Sequence, residues 1–398
     1  VSDTYDWNRL FHAFDVAADT QAHLGALVDP DAAAFSTAMD HLYDAVLHQG
    51  TIYPATVPAV AAVAQAIPFW ICDMDRETAA TRLLALARFL DLAGGSLARE
   101  EASLAGRGEI VPPSDEEERW FFDAISSDDE EEVAQAWGSP VPSNLRSLAV
   151  PALRQQTSLI LERLLELTGS GETASRAAAV GALGRWGGGA TPPHRQRVTS
   201  ALRSFADSAT ERDDRAAAVL ALGTVGADVS DWLADADPAV RACAALHLPQ
   251  STSATAELVH ALTRPEDIDG WFDRDRIPHS FHTGVRSTLL SSLLQRDTPF
   301  TAILPVAVAE AQISNPNMVD WAPLLRAAFP EAESTPGGHP PAPENIGAPQ
   351  RQFLAALAEN EQLWGTYYWT VGQALLRVGL PYDRQAVAAL SEGTTGSR

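Results

Sequence analysis

Lysine is missing from this chain altogether. All 28 basic residues are arginine, set against 52 aspartates and glutamates, for a formal net charge of −24. That balance argues against nucleic acid and anionic membranes as partners, because both need cationic surface to displace counterions. It leaves a basic protein partner, or solubility alone, as the meaning of the charge. Cysteine is nearly absent: Cys72 and Cys243 are far apart and fit no metal-ligand spacing, so a reduced cytoplasmic setting is expected. The opening Val-Ser-Asp-Thr-Tyr-Asp has neither the basic start nor the apolar core of a signal peptide. Long apolar runs are lacking too. Ala45 to Cys72 carries no formal charge, but Gly50, Pro54, Pro58 and Pro68 interrupt it, and its apolar residues are mostly alanine and valine. No unbroken run of roughly 20 strongly apolar residues survives, so no spanning helix is expected. Gly-x-Ser-x-Gly, Walker A and His-Glu-x-x-His motifs are all absent.

What is present is helical. Hydrophobic residues make up 46% of the chain, enough to fold. Nothing alternates with period two, so no sheet is predicted. Short helices are expected over 6–14 and 19–28, then a well-patterned one over 31–48, where Phe35, Met39, Leu42 and Val46 make one apolar stripe. Gly50 is placed to follow its end and Thr56 to cap the next helix, with Pro58 in its first turn. Pro68 is expected to stop that helix, and Gly94-Gly95 to stop the one over 76–93, leaving 96–113 as a loop. Capping boxes are read at Ser114-x-x-Glu117 and Ser127-x-x-Glu130, which place the acidic runs 115–118 and 128–132 in first helical turns. Further helices are expected over 254–264, 281–295, 299–313, 319–329, 350–359 and 361–379.

The middle of the chain repeats itself. Arg176-Ala-Ala-Ala-Val-Gly-Ala-Leu-Gly184 returns as Arg215-Ala-Ala-Ala-Val-Leu-Ala-Leu-Gly223 and as Arg241-Ala-Cys-Ala-Ala-Leu-His-Leu248, at intervals of 39 (215 − 176) and 26 (241 − 215). Alanine-packed helices opened by arginine resemble HEAT repeats, two-helix units that stack because neither buries its apolar face alone. The arginine stem lies along the packed surface with its head free to pair with an acid in the next repeat. The expected fold is all-α, a HEAT-like α-α superhelix of antiparallel helix pairs. It is read as repeats over 1–330, a Pro/Gly-rich loop or linker over 331–349, capping helices over 350–391 and a tail over 392–398.

The pattern Trp7-x-x-Leu10-x-His12-Ala13-Phe14, with His48-Gln-Gly-Thr-Ile-Tyr-x-Ala-Thr56 and the ending Gly379-Leu-Pro-Tyr-Asp-Arg384, resembles a group of HEAT-repeat-containing proteins common in actinobacteria. The resemblance implies an α-solenoid of largely unassigned function, with adaptors and immunity proteins suspected among its relatives. It carries no catalytic residue. Two enzymatic uses of helical repeats fit the residues poorly. A HEAT-like DNA glycosylase needs a basic groove, and a HEAT-like di-iron hydroxylase needs His-Glu pairs, of which the chain has none.

Two stretches concentrate chemistry. On a continuous helix, Thr37, His41, Asp44 and His48 lie opposite the apolar stripe, with Asp44 within reach of both histidines. Asp44 would raise their pKa values in a pH-sensitive or general-base site; the three would equally serve as partial metal ligands, or form a solvent-facing polar strip. Tyr53, in the turn that follows, is a further candidate binding residue. The second stretch runs from Trp271 to His282. Asp273, Asp275, His279 and His282 are candidate cation ligands or acid–base partners there, while Arg274 and Arg276 would repel a cation and pair with the acids. The alternative is a surface loop anchored by Trp271 and Phe281. A third cluster, Trp364, Tyr367, Tyr368 and Trp369, is either end-cap packing or a binding hot spot. The function expected is protein binding through an acidic groove, with no cofactor, no nucleic acid and no membrane. An enzyme, or a metal or small-molecule binder using the His/Asp clusters, is the competing expectation.

Overall fold

The computed structural model describes residues 5–72, 75–170, 173–272, 278, 281, 284–315, 321–334, 340–343, 345–365 and 369–393. Among these the protein is all-α: twenty α-helices, several short 3-10 turns, and no strand beyond one isolated bridge between Phe11 and Val16. No helix among the described residues is long and apolar enough to cross a membrane. The chain divides into two compact units, residues 1–228 and 229–398.

The first unit opens with α1 (Thr20–Ala26) and α2 (Ala32–His41). The predicted stripe is real, since Phe35, Met39, Leu42 and Val46 are all buried. The helix itself does not reach 48. The α pattern stops at His41, and Leu42–Val46 form one wide π turn closed by Leu47 N–H donating to the Leu42 carbonyl at 3.0 Å. A 3-10 turn at His48–Gly50 follows, with Gln49 in the left-handed region at φ 51°. Thr56 is the first residue of α3 (Thr56–Ile71) and not its side-chain cap. Its buried hydroxyl instead accepts from Tyr53 N–H at 2.9 Å and donates to the Val46 carbonyl at 2.5 Å, tying the π turn to the start of α3.

Two expected helix stops are corrected. Pro68 sits inside α3, which continues to Ile71. Gly94-Gly95 sits inside α4, which runs without interruption from Arg76 to Leu104 and absorbs much of the predicted loop. The glycines serve packing: a Cβ on Gly94 would lie 2.7 Å from Arg185 Cβ and 2.8 Å from Trp186 Nε1. Both belong to α9 (Thr173–Gly187), whose Trp186 indole donates to the Leu90 carbonyl of α4 at 2.8 Å. Arg82 of α4 donates to the Asp29 and Pro30 carbonyls and lies 4.1 Å over the Trp70 ring, and Trp70 donates to the Leu27 carbonyl at 2.8 Å. These contacts lock the α1–α2 connection against α3 and α4.

Next come α5 (Asp115–Ile125), α6 (Glu130–Gly138), α7 (Pro140–Gln155), α8 (Thr157–Ser170), α10 (Pro192–Ser208) and α11 (Arg212–Thr224). The Ser114/Glu117 capping box forms. The second box does not: Asp129 is the residue that caps α6, accepting from Glu131 N–H. Two repeat segments fall on α9 and α11, and their backbones approach closely, so a Cβ on Gly184 would meet Ala221 Cα at 2.8 Å. Arg215 turns back to the Ala209 carbonyl just before its own helix.

The second unit contains α12 (Pro238–Leu246), α13 (Thr252–Leu262), α14 (Pro265–Asp269), α15 (Val285–Leu294), α16 (Phe300–Ile313), α17 (Ala322–Ala328), α18 (Ala348–Glu359), α19 (Trp369–Leu376) and α20 (Arg384–Glu392). Here Arg241 does reach an acid of the following helix, Glu257, at 2.9 Å. Helix ends are closed by side chains: Arg296 donates to the Ala245 carbonyl, and Asn360 to those of Ala311 and Ser314, at 2.6, 2.8 and 2.7 Å. The expected helix over 361–379 is split into a 3-10 turn at Glu361–Leu363 and α19.

Candidate functional site

The π turn decides where the chemistry of the first unit gathers. It changes the phase of the chain after His41, so the strip of His41, Asp44 and His48 expected on one continuous face does not form. Asp44 is exposed and does not bridge the histidines with its carboxylate; its backbone carbonyl meets His48 Nδ1 at 2.8 Å. His41 turns instead toward α1 and the loop before it, where Thr20 Oγ1 lies 2.9 Å from its Nε2.

That loop, residues 10–16, is pinned on both sides. Ala13 N–H donates to the Ala45 carbonyl of the π turn at 3.1 Å, and the Phe11 carbonyl accepts from Ala55 N–H at 3.3 Å. Phe11 enters a core of Phe121, Phe122 and Tyr53, with Trp137 packed against it. Tyr53, a candidate binding residue by sequence, is only 7% exposed and belongs to this core. It is a packing residue here, because the turn before α3 points it inward.

The pinned loop delivers His12 and Phe14 to His41 and His48. A row of rings results: His23 stacks on His41 at 4.2 Å, His41 meets His12 edge-on at 5.4 Å, His12 meets Phe14 at 6.3 Å, and Phe14 meets His48 at 5.2 Å. Phe14, at 61% exposed, is the most exposed ring of the row. Asp19 sits beside it, with Oδ1 3.2 Å from His12 Nε2 and Oδ2 3.9 Å from His41 Nδ1. His12 Nδ1 accepts from the Phe14 and Asp15 N–H groups at 3.3 and 3.4 Å, so its ring proton resides on Nε2 and is donated to Asp19.

The electrostatics reverse the sequence expectation. His41 is pushed down from 6.5 to about 4, first by burial, with Asp19 opposing and the neighbouring His23 and His12 adding to the fall. It is a neutral imidazole at physiological pH. The segment that carries these rings is acidic nonetheless. Residues 1–75 hold ten aspartates and one arginine, Arg9, which is engaged by Glu118 at 3.1 Å. Asp15, Asp19, Asp40 and Asp44 are all exposed. A cleft of about 200 Å³ is lined by Trp7, Leu24, Val28, Pro58 and Ala62 among others.

The second predicted site is reached only in part. Trp271 is buried, and Phe272 stacks on Phe281 at 5.7 Å, as expected for an anchored loop. Asp273, Asp275, His279 and His282 lie outside the described residues. In the aromatic cluster, Trp364 stacks on Tyr382 at 5.9 Å and donates to the Leu357 carbonyl, a packing role; Tyr367 and Tyr368 also lie outside the described residues. Buried Cys243 has its thiol pushed up by desolvation and stays protonated.

As site residues, His12, Phe14, Asp19, Thr20 and His23 are not singled out by the sequence. The one local signal was Asp19 four residues before His23 on a short helix. No family model matches the chain, and neither a curated protein nor a solved structure is similar to it.

Proposed function

We propose that this protein is a HEAT-like stack of helical pairs that binds a basic protein segment on the ring-lined, acidic face of its first unit, as an adaptor, inhibitor or immunity protein would. One observation carries the reading: Phe14 stands 61% exposed in a row with four histidine rings, and the exposed Asp15, Asp19 and Asp44 belong to the loop, helix start and π turn that carry those rings. An exposed aromatic ring held by a pinned loop costs little conformational entropy to engage, and aromatic residues anchor interfaces. Arginine or lysine of a partner meets carboxylates and ring faces together, which favours both steering and contact. The helix pairs α8/α9 and α10/α11, with the close α9–α11 seam, support the repeat part of the proposal.

The test is affinity capture in the cell of origin with the whole chain as bait, run in parallel with Phe14→Ala and with Asp15→Asn/Asp44→Asn. Wild type is expected to retain a basic protein that raised salt releases. Phe14→Ala is expected to lose at least about 10-fold of that affinity, the scale of one interface anchor. Capture that is indifferent to all three substitutions and to salt would refute the proposed face.

A further inference from the structure

We propose that His12, Asp19 and His41 form a binding site for a divalent transition-metal ion of the zinc class, a property separate from partner binding. One donor atom from each of the three lies within 4.8 Å of the others. His12 Nε2 and Asp19 Oδ1 are 3.2 Å apart, close to the edge of about 3.3 Å between two ligands of a tetrahedral ion with bonds near 2 Å.

The hydrogen bonds around His41 are those of an oriented ligand. Thr20 is fully buried, and its hydroxyl lies 3.4 Å from Asp19 Oδ1, to which it donates, and 2.9 Å from His41 Nε2. In the tautomer that carries the His41 proton on Nε2, the hydroxyl accepts that proton and turns its own hydrogen to Asp19. In that tautomer, the one a metal ligand at Nδ1 needs, the Nδ1 lone pair faces Asp19 Oδ2 at 3.9 Å. A lone pair and a carboxylate oxygen that face each other are brought together favourably by a cation between them. An imidazole whose far nitrogen is fixed by a hydrogen bond is the usual arrangement of a metal-ligating histidine.

His12 needs one adjustment. Its proton sits on Nε2, so ligation shifts that proton to Nδ1 and gives up the two long contacts from Phe14 and Asp15 N–H. No net proton is lost, but the exchange weakens the site. His23 covers the face of His41, stacked at 14°, and is not a ligand. Both ligand rings are inside, with side chains 5% and 10% exposed, while Asp19 is 56% exposed, so the fourth position opens to water or an outside group. Two imidazoles and one carboxylate suit zinc, cobalt or nickel, whereas calcium and magnesium prefer oxygen ligands alone.

The experiment titrates Co²⁺ into the full-length, chelator-stripped chain and follows the visible bands of four-coordinate cobalt, then displaces them with Zn²⁺. One equivalent is expected to develop those bands. Asp19→Asn, near-isosteric and largely exposed, is expected to keep native circular dichroism and lose at least about 30-fold in Co²⁺ affinity, the effect of removing one ligand of three. His41→Gln should do the same, and His48→Gln should leave Co²⁺ affinity unchanged. Folded Asp19→Asn binding Co²⁺ as tightly as wild type, or cobalt that stays six-coordinate in the wild-type chain, overturns the site.

Discussion

Two stretches of the first unit carry the same signal for a helix end and behave in opposite ways. His48-Gln-Gly50 is a true interruption, with a π turn before it, a left-handed Gln49, and Gly50 at φ 73°. Gly94-Gly95 is no interruption at all; it lies buried in a 29-residue helix. The difference is what faces the glycine. Gly94 meets Trp186 and Arg185 of α9, so it is small because another helix needs the room. Gly50 is a glycine because the backbone turns there. Where the helix ladder breaks, backbone groups and polar side chains gather, and the histidine row stands on that break. Where helices seal against each other, a small residue on one makes room for a larger one on the other.

Substitutions sharpen this contrast. The largest effect is expected at the seam. Gly184→Leu drives a side chain into the backbone of Ala221, which cannot rotate away, and should destabilise the protein by about 3 kcal/mol in denaturant unfolding. If its midpoint matches wild type, the seam is not a close contact. Next is the joint. Thr56→Val removes a buried hydroxyl that serves both Tyr53 N–H and the Val46 carbonyl, and should cost about 2 kcal/mol. A loss as small as a surface change would mean the π turn is not held by Thr56.

Third comes pH. His41 protonates near 4 in the folded chain and at the ordinary 6.5 when unfolded, so between these values the unfolded chain binds more protons. Stability should fall as pH drops from 6.5 toward 4, by on the order of 2 kcal/mol after allowing for solvent screening, and His41 should add no slope above 6.5. In chelator-treated buffer, His41→Gln should flatten that part of the profile; an unchanged slope would place His41 in solvent. The smallest effect is a gain. A Cβ on Gly25, inside α1, meets nothing within 4 Å, so Gly25→Ala should stabilise by about 0.5–1 kcal/mol in the same unfolding measurement, while Gly184→Leu cannot.

What could be read from the chain alone follows from range. The stripe Phe35/Met39/Leu42/Val46 and the Ser114/Glu117 box are local patterns, and both are present. The Gly94 seam was misread because only α9, some ninety residues later, explains it. The metal cluster was legible in one residue, His41, and the ring row in two, His41 and His48. Asp44 and His48 were grouped with His41 on the assumption that 3.6 residues per turn continue past position 41, and the π turn breaks that phase. His12 and Asp19 reach His41 from a separate loop and the start of a different helix, a meeting no spacing rule encodes. Tyr53 shares the His48–Thr56 stretch with polar residues, yet the turn carries it into the Phe11 core.

The central claim is that the face bearing Phe14 is where a partner sits. A photo-reactive phenylalanine analogue at position 14, compared with the same analogue at Tyr382, which is 37% exposed in the second unit, tests it directly in the cell of origin. One discrete adduct with a basic protein from position 14 and none from position 382 is the result this account predicts. Adducts from position 382 alone, or none from position 14 when the chain is folded and expressed, would contradict it.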